Sequence, residues 1–277
     1  MKIRKGNDYI DLIGLNNFSL KDTFECGQCF RWKLISENLY HGIAYGKPLI
    51  IEQKDDFIRL YTSGNEFRKF WKDYFDLDRD YNNIRKKIQY DKFLKKASHY
   101  GKGIKILKQE PWEVLCSFII SQQNNIPRIK NIVERISEKH GEVIYKYNTK
   151  FYAFPTPEKI IELGIVGLKE FGLGYRDTYL IDAAYAVFNK EIDLENLKYI
   201  SSEQSLKELM KLRGVGTKVA NCVNLFGLQH IDSFPIDVWI QRVIDVYYNG
   251  HIDIIPYKEV AGIVQQYMFY YIRNKEV

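Results

Sequence analysis

The chain predicts an α+β fold, with an antiparallel sheet near the N-terminus followed by a helical region. Two changes of texture carry this. From about Phe30 to Thr62, aromatic or β-branched residues alternate with polar ones, and Gly42, Gly46-Lys47-Pro48 and Asp55-Asp56 punctuate the run. Such alternation between turn residues describes a meander of short strands. From Asn65 onward the apolar period becomes helical, beginning with Phe67, Phe70, Trp71 and Tyr74 at i, i+3, i+4 and i+7.

The later elements follow in order. The Tyr81-Ile84-Ile88 stripe continues the helical trend. Trp112, Leu115, Cys116 and Ile119 mark a further helix, and Ile129, Ile132, Val133 and Ile136 another. A last helix is expected from about Pro256 to Arg273. There is no internal repeat and no low-complexity segment. We place the sheet unit at 1–95 and the helical unit at 96–277, with a soft boundary, because the helices over 65–95 can pack under the sheet.

Composition narrows the class without deciding it. The 277 residues suffice for one large domain or two small ones. Lys plus Arg number 41 against 35 Asp plus Glu, a net charge of +6 that suits a polyanionic partner. Four cysteines in this length indicate a reducing compartment. Cys26 and Cys29 form a CxxC, but Cys116 and Cys222 stand alone on apolar helical faces, so a zinc site is not expected. No apolar run approaches about 18 residues, and the N-terminus lacks the apolar core of a signal peptide. A soluble protein of a prokaryotic cytoplasm is expected, associated with the nucleoid and not with a membrane.

The most informative stretch is Leu212-Arg213-Gly214-Val215-Gly216-Thr217-Lys218, followed by Pro235-Ile236-Asp237. Two glycines two apart let the backbone turn where a Cβ would clash. Val219, Ala220, Val223 and Phe226 then form the apolar stripe of a helix. Backbone N–H groups at the start of that helix make a seat for a DNA phosphate. Lys218 falls in the first helical turn, where a cation opposes the helix dipole. That misfit favours the neutral amine, which is a nucleophile. Nineteen residues on (237 − 218), Asp237 follows a proline at the start of another helix. Singly, each piece has an ordinary reading: an αα turn, a solvated lysine, an N-cap. Together, at this spacing, they point to chemistry on DNA.

In these residues the chain resembles the helix-hairpin-helix (HhH-GPD) DNA glycosylases, and within them the bifunctional 8-oxoguanine DNA glycosylases. Four further stretches carry the closer likeness: Cys26-Gly27-Gln28-Cys29-Phe30-Arg31-Trp32, Ser121 to Arg128, Gly172-Leu173-Gly174-Tyr175-Arg176, and Val219-Ala220-Asn221-Cys222. The resemblance covers roughly residues 10 to 273. It implies a sheet domain joined to two helical lobes, with the active cleft between the lobes. The four-cysteine run of the iron–sulfur members is absent, so no cluster is expected.

The resemblance also implies roles. Lys218 attacks C1′ of an extruded nucleotide and forms a Schiff base that permits strand cleavage, while Asp237 stabilises charge on the sugar. The carbonyl of Gly27 accepts from N7–H of 8-oxoguanine. Phe269 and Cys222 close the two faces of the base, and Gln265 reads its Watson–Crick edge. Gln123, Asn124, Arg128, Tyr175 and Arg176 fill the gap and hold the orphan cytosine, and Gly214 and Gly216 receive a phosphate. The carbonyls of Met210, Leu212 and Val215 suit a structural monovalent or calcium ion; no other cofactor is expected. The implied partner is double-stranded DNA containing 8-oxoguanine, bound by a monomer. Three departures stand out: Gln123 where asparagine is usual, Trp239 where histidine is frequent, and Arg213 where proline is common. Two alternatives stay open: a glycosylase for other oxidised or alkylated bases, and a non-catalytic binder of bent or damaged DNA.

Overall fold

The computed structural model describes residues 2–275. Six strands build one antiparallel sheet: β1 (Lys2–Lys5), β2 (Ile10–Ile13), β3 (Lys33–Ser36), β4 (Leu39–Ala44), β5 (Lys47–Gln53) and β6 (Phe57–Leu60), in the spatial order β1-β2-β6-β5-β4-β3. The meander β3–β6 is the one the alternation predicts. The first two strands extend the sheet beyond that reading, with Ile10 paired to Leu60.

A short helix α1 (Leu20–Glu25) and a continuous helical run over 64–74 cover the sheet. That run comprises α2 (Gly64–Glu66), a π-turn (Phe67–Trp71) and α3 (Lys72–Tyr74). Between them lies an aromatic core. Phe24 stacks on Trp32 with centroids 4.3 Å apart, and Trp32 donates from Nε1 to Tyr74 Oη at 3.0 Å. A buried indole N–H is thereby satisfied without leaving the core.

The rest is helical: α4 (Tyr81–Lys87), α5 (Lys92–Tyr100), α6 (Pro111–Ile120), α7 (Ile126–His140), α8 (Pro157–Lys169), α9 (Arg176–Phe188), α10 (Ser202–Leu209), α11 (Thr217–Phe226), α12 (Val238–Tyr247) and α13 (Ala261–Lys275). Helix α6 packs on α7, α9 and α11, and α13 packs on α5 and α12. Tyr81, Ile84, Ile88 and Phe93 belong to this helical core and not to the core beneath the sheet. Among the described residues no helix is long and apolar enough to cross a membrane.

Two elements differ from expectation. A hairpin, β7 (Val143–Lys146) and β8 (Thr149–Tyr152), projects between α7 and α8. Its turn residues Tyr147 and Asn148 both have positive φ, at 54° and 55°, as a two-residue hairpin loop requires. The last helix is also divided. A 3₁₀ segment (Ile255–Val260) is kinked within at Tyr257, which leaves helical geometry, and α13 starts at Ala261.

The segment 26–32 joins the two cores. Cys26 and Phe30 pack into the helical core, whereas Cys29 and Trp32 pack under the sheet. Gln28 is fully buried and pins this segment. Its Nε2 donates to the carbonyls of Thr23 (2.9 Å) and Lys105 (2.7 Å), and its Oε1 accepts from the Leu107 amide (2.9 Å). Both ends of a buried amide are thus satisfied, which fixes the backbone at Gly27 beside it.

Candidate active site

The hairpin predicted from Gly214 and Gly216 forms between α10 and α11. Gly214 has φ +77°, and a Cβ there would lie 2.2 Å from the Tyr179 ring. Only glycine fits, on both counts. Gly216 is different: it caps α11, and a Cβ would meet nothing within 4 Å. Its open side faces solvent, where the amides of the first turn of α11 are free to take an anion. The Leu212 carbonyl accepts the Val215 amide at 3.1 Å and closes the turn.

Helix α11 buries Val219, Ala220, Val223 and Phe226, the predicted stripe. Phe226 stacks on Phe118 of α6, with centroids 5.5 Å apart and planes 14° from parallel. This contact sets the two helices side by side and brings Lys218 over α6. Lys218 is half-buried. Its Nζ donates to Ser121 Oγ at 3.2 Å and lies 5.1 Å from the centroid of the Phe118 ring. Ser121 passes its own hydroxyl proton to the Phe118 carbonyl at 2.8 Å, so its oxygen faces the amine as an acceptor.

Asp237 caps α12. Its Oδ1 accepts the amides of Trp239 (3.1 Å) and Ile240 (2.9 Å). The side chain thereby satisfies two of the free amides at the start of α12. The cap does not use the second oxygen.

A cleft of about 860 Å³ gathers Lys218 and Asp237 with Gly27, Cys222, Gln265, Phe269, Gln123 and Asn124. Gly27 has φ +84°, and a Cβ there would stand 3.2 Å from Phe269 Cε1, inside the space the cleft leaves open. Burial pushes the Cys222 thiol up to about 11, against the pull of Lys218, so this wall is a neutral sulfur at pH 7. Gln265 is buried, and its Oε1 has no hydrogen-bond partner among the described residues. An unpaired buried carbonyl oxygen lining a cleft is an acceptor waiting for a donor.

Gln123 and Asn124 of the cleft lining continue into a rim with the remaining predicted residues. Gln123 has φ +46° and is exposed, in the turn between α6 and α7. Asn124 turns inward, its Nδ2 donating to the Ile120 carbonyl at 3.2 Å. Arg128 is exposed and donates to the Gly172 carbonyl at 3.0 Å. Tyr175 is exposed beside the Arg176 guanidinium, 4.6 Å from ring centroid to carbon. Arg176 is buried, and its donors serve the carbonyls of Leu173 (2.8 Å), Gln122 (2.8 Å) and Gln123 (3.4 Å). In this arrangement Arg176 fastens the Gln122–Gln123 turn rather than offering donors outward.

Sequence reasoning passed over Phe118, Ser121 and Gln266. Gln266 is buried and donates to the Cys26 carbonyl at 2.7 Å, so α13 holds the segment that carries Gly27. The signal for Ser121 was its place at the head of the Ser121–Arg128 stretch; nothing in the sequence pairs it with Lys218.

Comparison with known proteins takes in most of the chain. Residues 12–115 match the family model of the 8-oxoguanine DNA glycosylase N-terminal domain, and residues 116–266 match that of HhH-GPD superfamily base excision DNA repair proteins. The N-glycosylase/DNA lyase of Saccharomyces cerevisiae is 32% identical over 260 residues, covering 83% of this chain and 68% of the yeast protein. The 8-oxoguanine glycosylase/lyase of Clostridium acetobutylicum, in complex with dsDNA containing cytosine opposite 8-oxoG, has a TM-score of 0.93 at 36% identity, over 100% of this chain and 99% of that one. MBOgg1 in complex with a low-affinity DNA ligand gives 0.94 at 36% identity, again over 100% and 99%. The chain therefore belongs to the HhH-GPD superfamily of base excision DNA repair enzymes, in the branch that carries the 8-oxoguanine DNA glycosylase N-terminal domain and joins N-glycosylase to DNA lyase activity.

Proposed function

We propose that this enzyme extrudes 8-oxoguanine from duplex DNA, preferentially opposite cytosine, excises it through Lys218, and then cleaves the strand. The observation that carries the reading is the convergence of Lys218, Asp237, Gly27, Cys222, Gln265 and Phe269 on one cleft.

A base stacked in the duplex is out of reach and must be everted. In the cleft it lies between Phe269 and Cys222, and the Gly27 carbonyl takes N7–H. Guanine has a lone pair at N7, which would leave that carbonyl unpaired. Gln265 Oε1 accepts from the Watson–Crick edge. Nζ of Lys218 bonds to C1′ as the C1′–N9 bond breaks, and the bonding pair departs on the base. The Asp237 carboxylate offsets positive charge at the sugar. Loss of a proton from Nζ and opening of the sugar ring leave the imine. Proton loss from C2′ then expels the 3′ phosphate, which is the β-elimination.

The rim residues Gln123, Asn124, Tyr175, Arg128 and Arg176 are our candidates for filling the gap and holding the orphan cytosine. Arg128 gives up only one exposed hydrogen bond to do so; Arg176 must exchange buried carbonyls for the base. Gly214 and Gly216 shape the phosphate seat. Carbonyls of Met210, Leu212 and Val215, at the negative end of α10, would hold a monovalent or calcium ion as structural support. We further propose a monomer acting on cytoplasmic, nucleoid DNA.

Borohydride trapping on an 8-oxoguanine:cytosine duplex tests the reading. The wild type should form a covalent adduct, and Lys218→Gln should bind the lesion without one. Absence of any wild-type adduct would favour a binding module, and trapping only on other lesions a different glycosylase.

A further inference from the structure

Arg273 enters the cleft from the last turns of α13, and neither the hairpin chemistry nor the pocket described above uses it. Its Nη2 donates to the Glu25 carbonyl at 3.1 Å, and its guanidinium carbon lies 5.6 Å from the centroid of Phe269. Its Nη1 is buried and has no hydrogen-bond partner among the described residues. That nitrogen lies 3.5 Å from where a Cβ on Gly27 would stand, and Phe269 Cε1 lies 3.2 Å from the same point. An open donor, the aromatic platform and the Gly27 backbone therefore meet at one spot.

We propose that Arg273 reads the lesion directly, with Nη1 donating to O8 of the everted 8-oxoguanine. The inference rests on the functional reading above and assigns one more contact within it. Gln265, Phe269 and Arg273 are four residues apart on one helix, so they share a face at steps of about 6 Å. A purine stacked on Phe269 with its Watson–Crick edge toward Gln265 points its opposite end, C8 and its oxygen, toward Arg273. The Gly27 carbonyl then takes N7–H, and Nη1 takes the neighbouring O8. Guanine carries C8–H there, which leaves the donor buried and unpaired. Two polar groups of opposite sense would thus test the two atoms at which lesion and normal base differ.

The same contact acts on the chemical step. As the Nζ–C1′ bond forms and C1′–N9 breaks, the bonding pair moves onto N9 and spreads through C8 to O8. A guanidinium at O8 meets charge that develops only there, so it lowers the barrier as well as selecting the base.

Single-turnover cleavage of an 8-oxoguanine:cytosine duplex and of an abasic:cytosine duplex tests this, because the second substrate has no base to read. For Arg273→Met the ratio of the first rate to the second should fall roughly 10- to 100-fold, the range for a hydrogen bond to a charged donor. Arg273→Lys, which keeps a cationic donor, should recover part of the ratio. If Arg273→Met does not fold, Arg273→Gln serves in its place, with the same fall expected. An unchanged ratio, or equal losses on both substrates, overturns the inference and leaves the excision reading standing. A wild type that cleaves abasic DNA but ignores 8-oxoguanine overturns both.

Discussion

Lys218 Nζ and Ser121 Oγ, 97 positions apart in the chain, lie 3.2 Å from each other. The amine we propose as nucleophile, on α11, is thus aimed by the residue that caps the end of α6, and the Phe118–Phe226 stack sets the spacing. Ser121→Ala should leave the lysine in place but unaimed. We expect borohydride trapping to slow by roughly 3- to 30-fold, the scale of one hydrogen bond to a charged or nucleophilic amine, with lesion affinity little changed. Trapping at the wild-type rate would show that the serine plays no part.

Asp237→Asn separates the cap of α12 from its charge. Asparagine caps a helix about as well as aspartate, so the thermal midpoint should move by no more than about 2 °C. Base excision should fall roughly 100- to 1,000-fold, as when one preorganised electrostatic group is removed. Near-normal excision would take the carboxylate out of the reaction.

The hairpin glycines should part company. Gly214→Ala drives a methyl into the Tyr179 ring at a positive φ, and should cost about 2–4 kcal/mol in denaturant unfolding. Gly216→Ala meets nothing in the protein, so stability should change by less than about 1 kcal/mol. DNA affinity should nonetheless drop, because the methyl occupies the approach to the amides of α11. Equal stability losses in the two variants would refute this division.

Glu113 lies where α6 meets the sheet domain. Burial raises its carboxyl to about 7, against the opposing pull of Arg31 at 3.3 Å; Glu110 at the N-cap of α6 and Glu134 on α7 push the same way as burial. Arg31 also contacts Glu134, at 3.5 Å, and Lys33 bonds to Glu134 at 2.7 Å. With the folded value above the unfolded one, the native state holds the extra proton between about pH 4.5 and 7. Stability linked to this group is therefore present at low pH and is lost as pH rises through that window, by up to about 3 kcal/mol. Glu113→Gln should flatten that part of the curve relative to wild type in guanidinium unfolding at pH 4.5 and 7.5. Parallel curves would rule the residue out as the source.

What could be read from the chain was local. The Gly214–Lys218 turn and the Asp237 cap declare themselves because their geometry depends on neighbouring residues. The meander β3–β6 is legible for the same reason, through the alternation of β4 to β6 and the turn residues Gly46 and Asp55-Asp56, although Glu37-Asn38 joins β3 to β4 without glycine, proline or aspartate. The β7–β8 hairpin escaped because Tyr147 and Asn148 adopt positive φ without glycine. Strand β1 escaped because all four of its side chains are exposed, which leaves no alternation to see. Arg176 read as a donor for DNA, and its hydrogen bonds to the carbonyls of Gln122 and Gln123, 54 and 53 residues earlier, went unseen, because long-range pairings of this kind leave no spacing in a sequence. Gln266 and Arg273 were hidden in the same way, by partners at the far end of the chain.

The Gln266–Cys26 hydrogen bond spans 240 positions, and it orders events during synthesis. A nascent polypeptide that has just completed the Lys218 hairpin carries the proposed nucleophile but lacks α13, and with it one wall of the cleft. The proposed reading of damage therefore follows the hairpin in the order of synthesis, once α13 has left the ribosome.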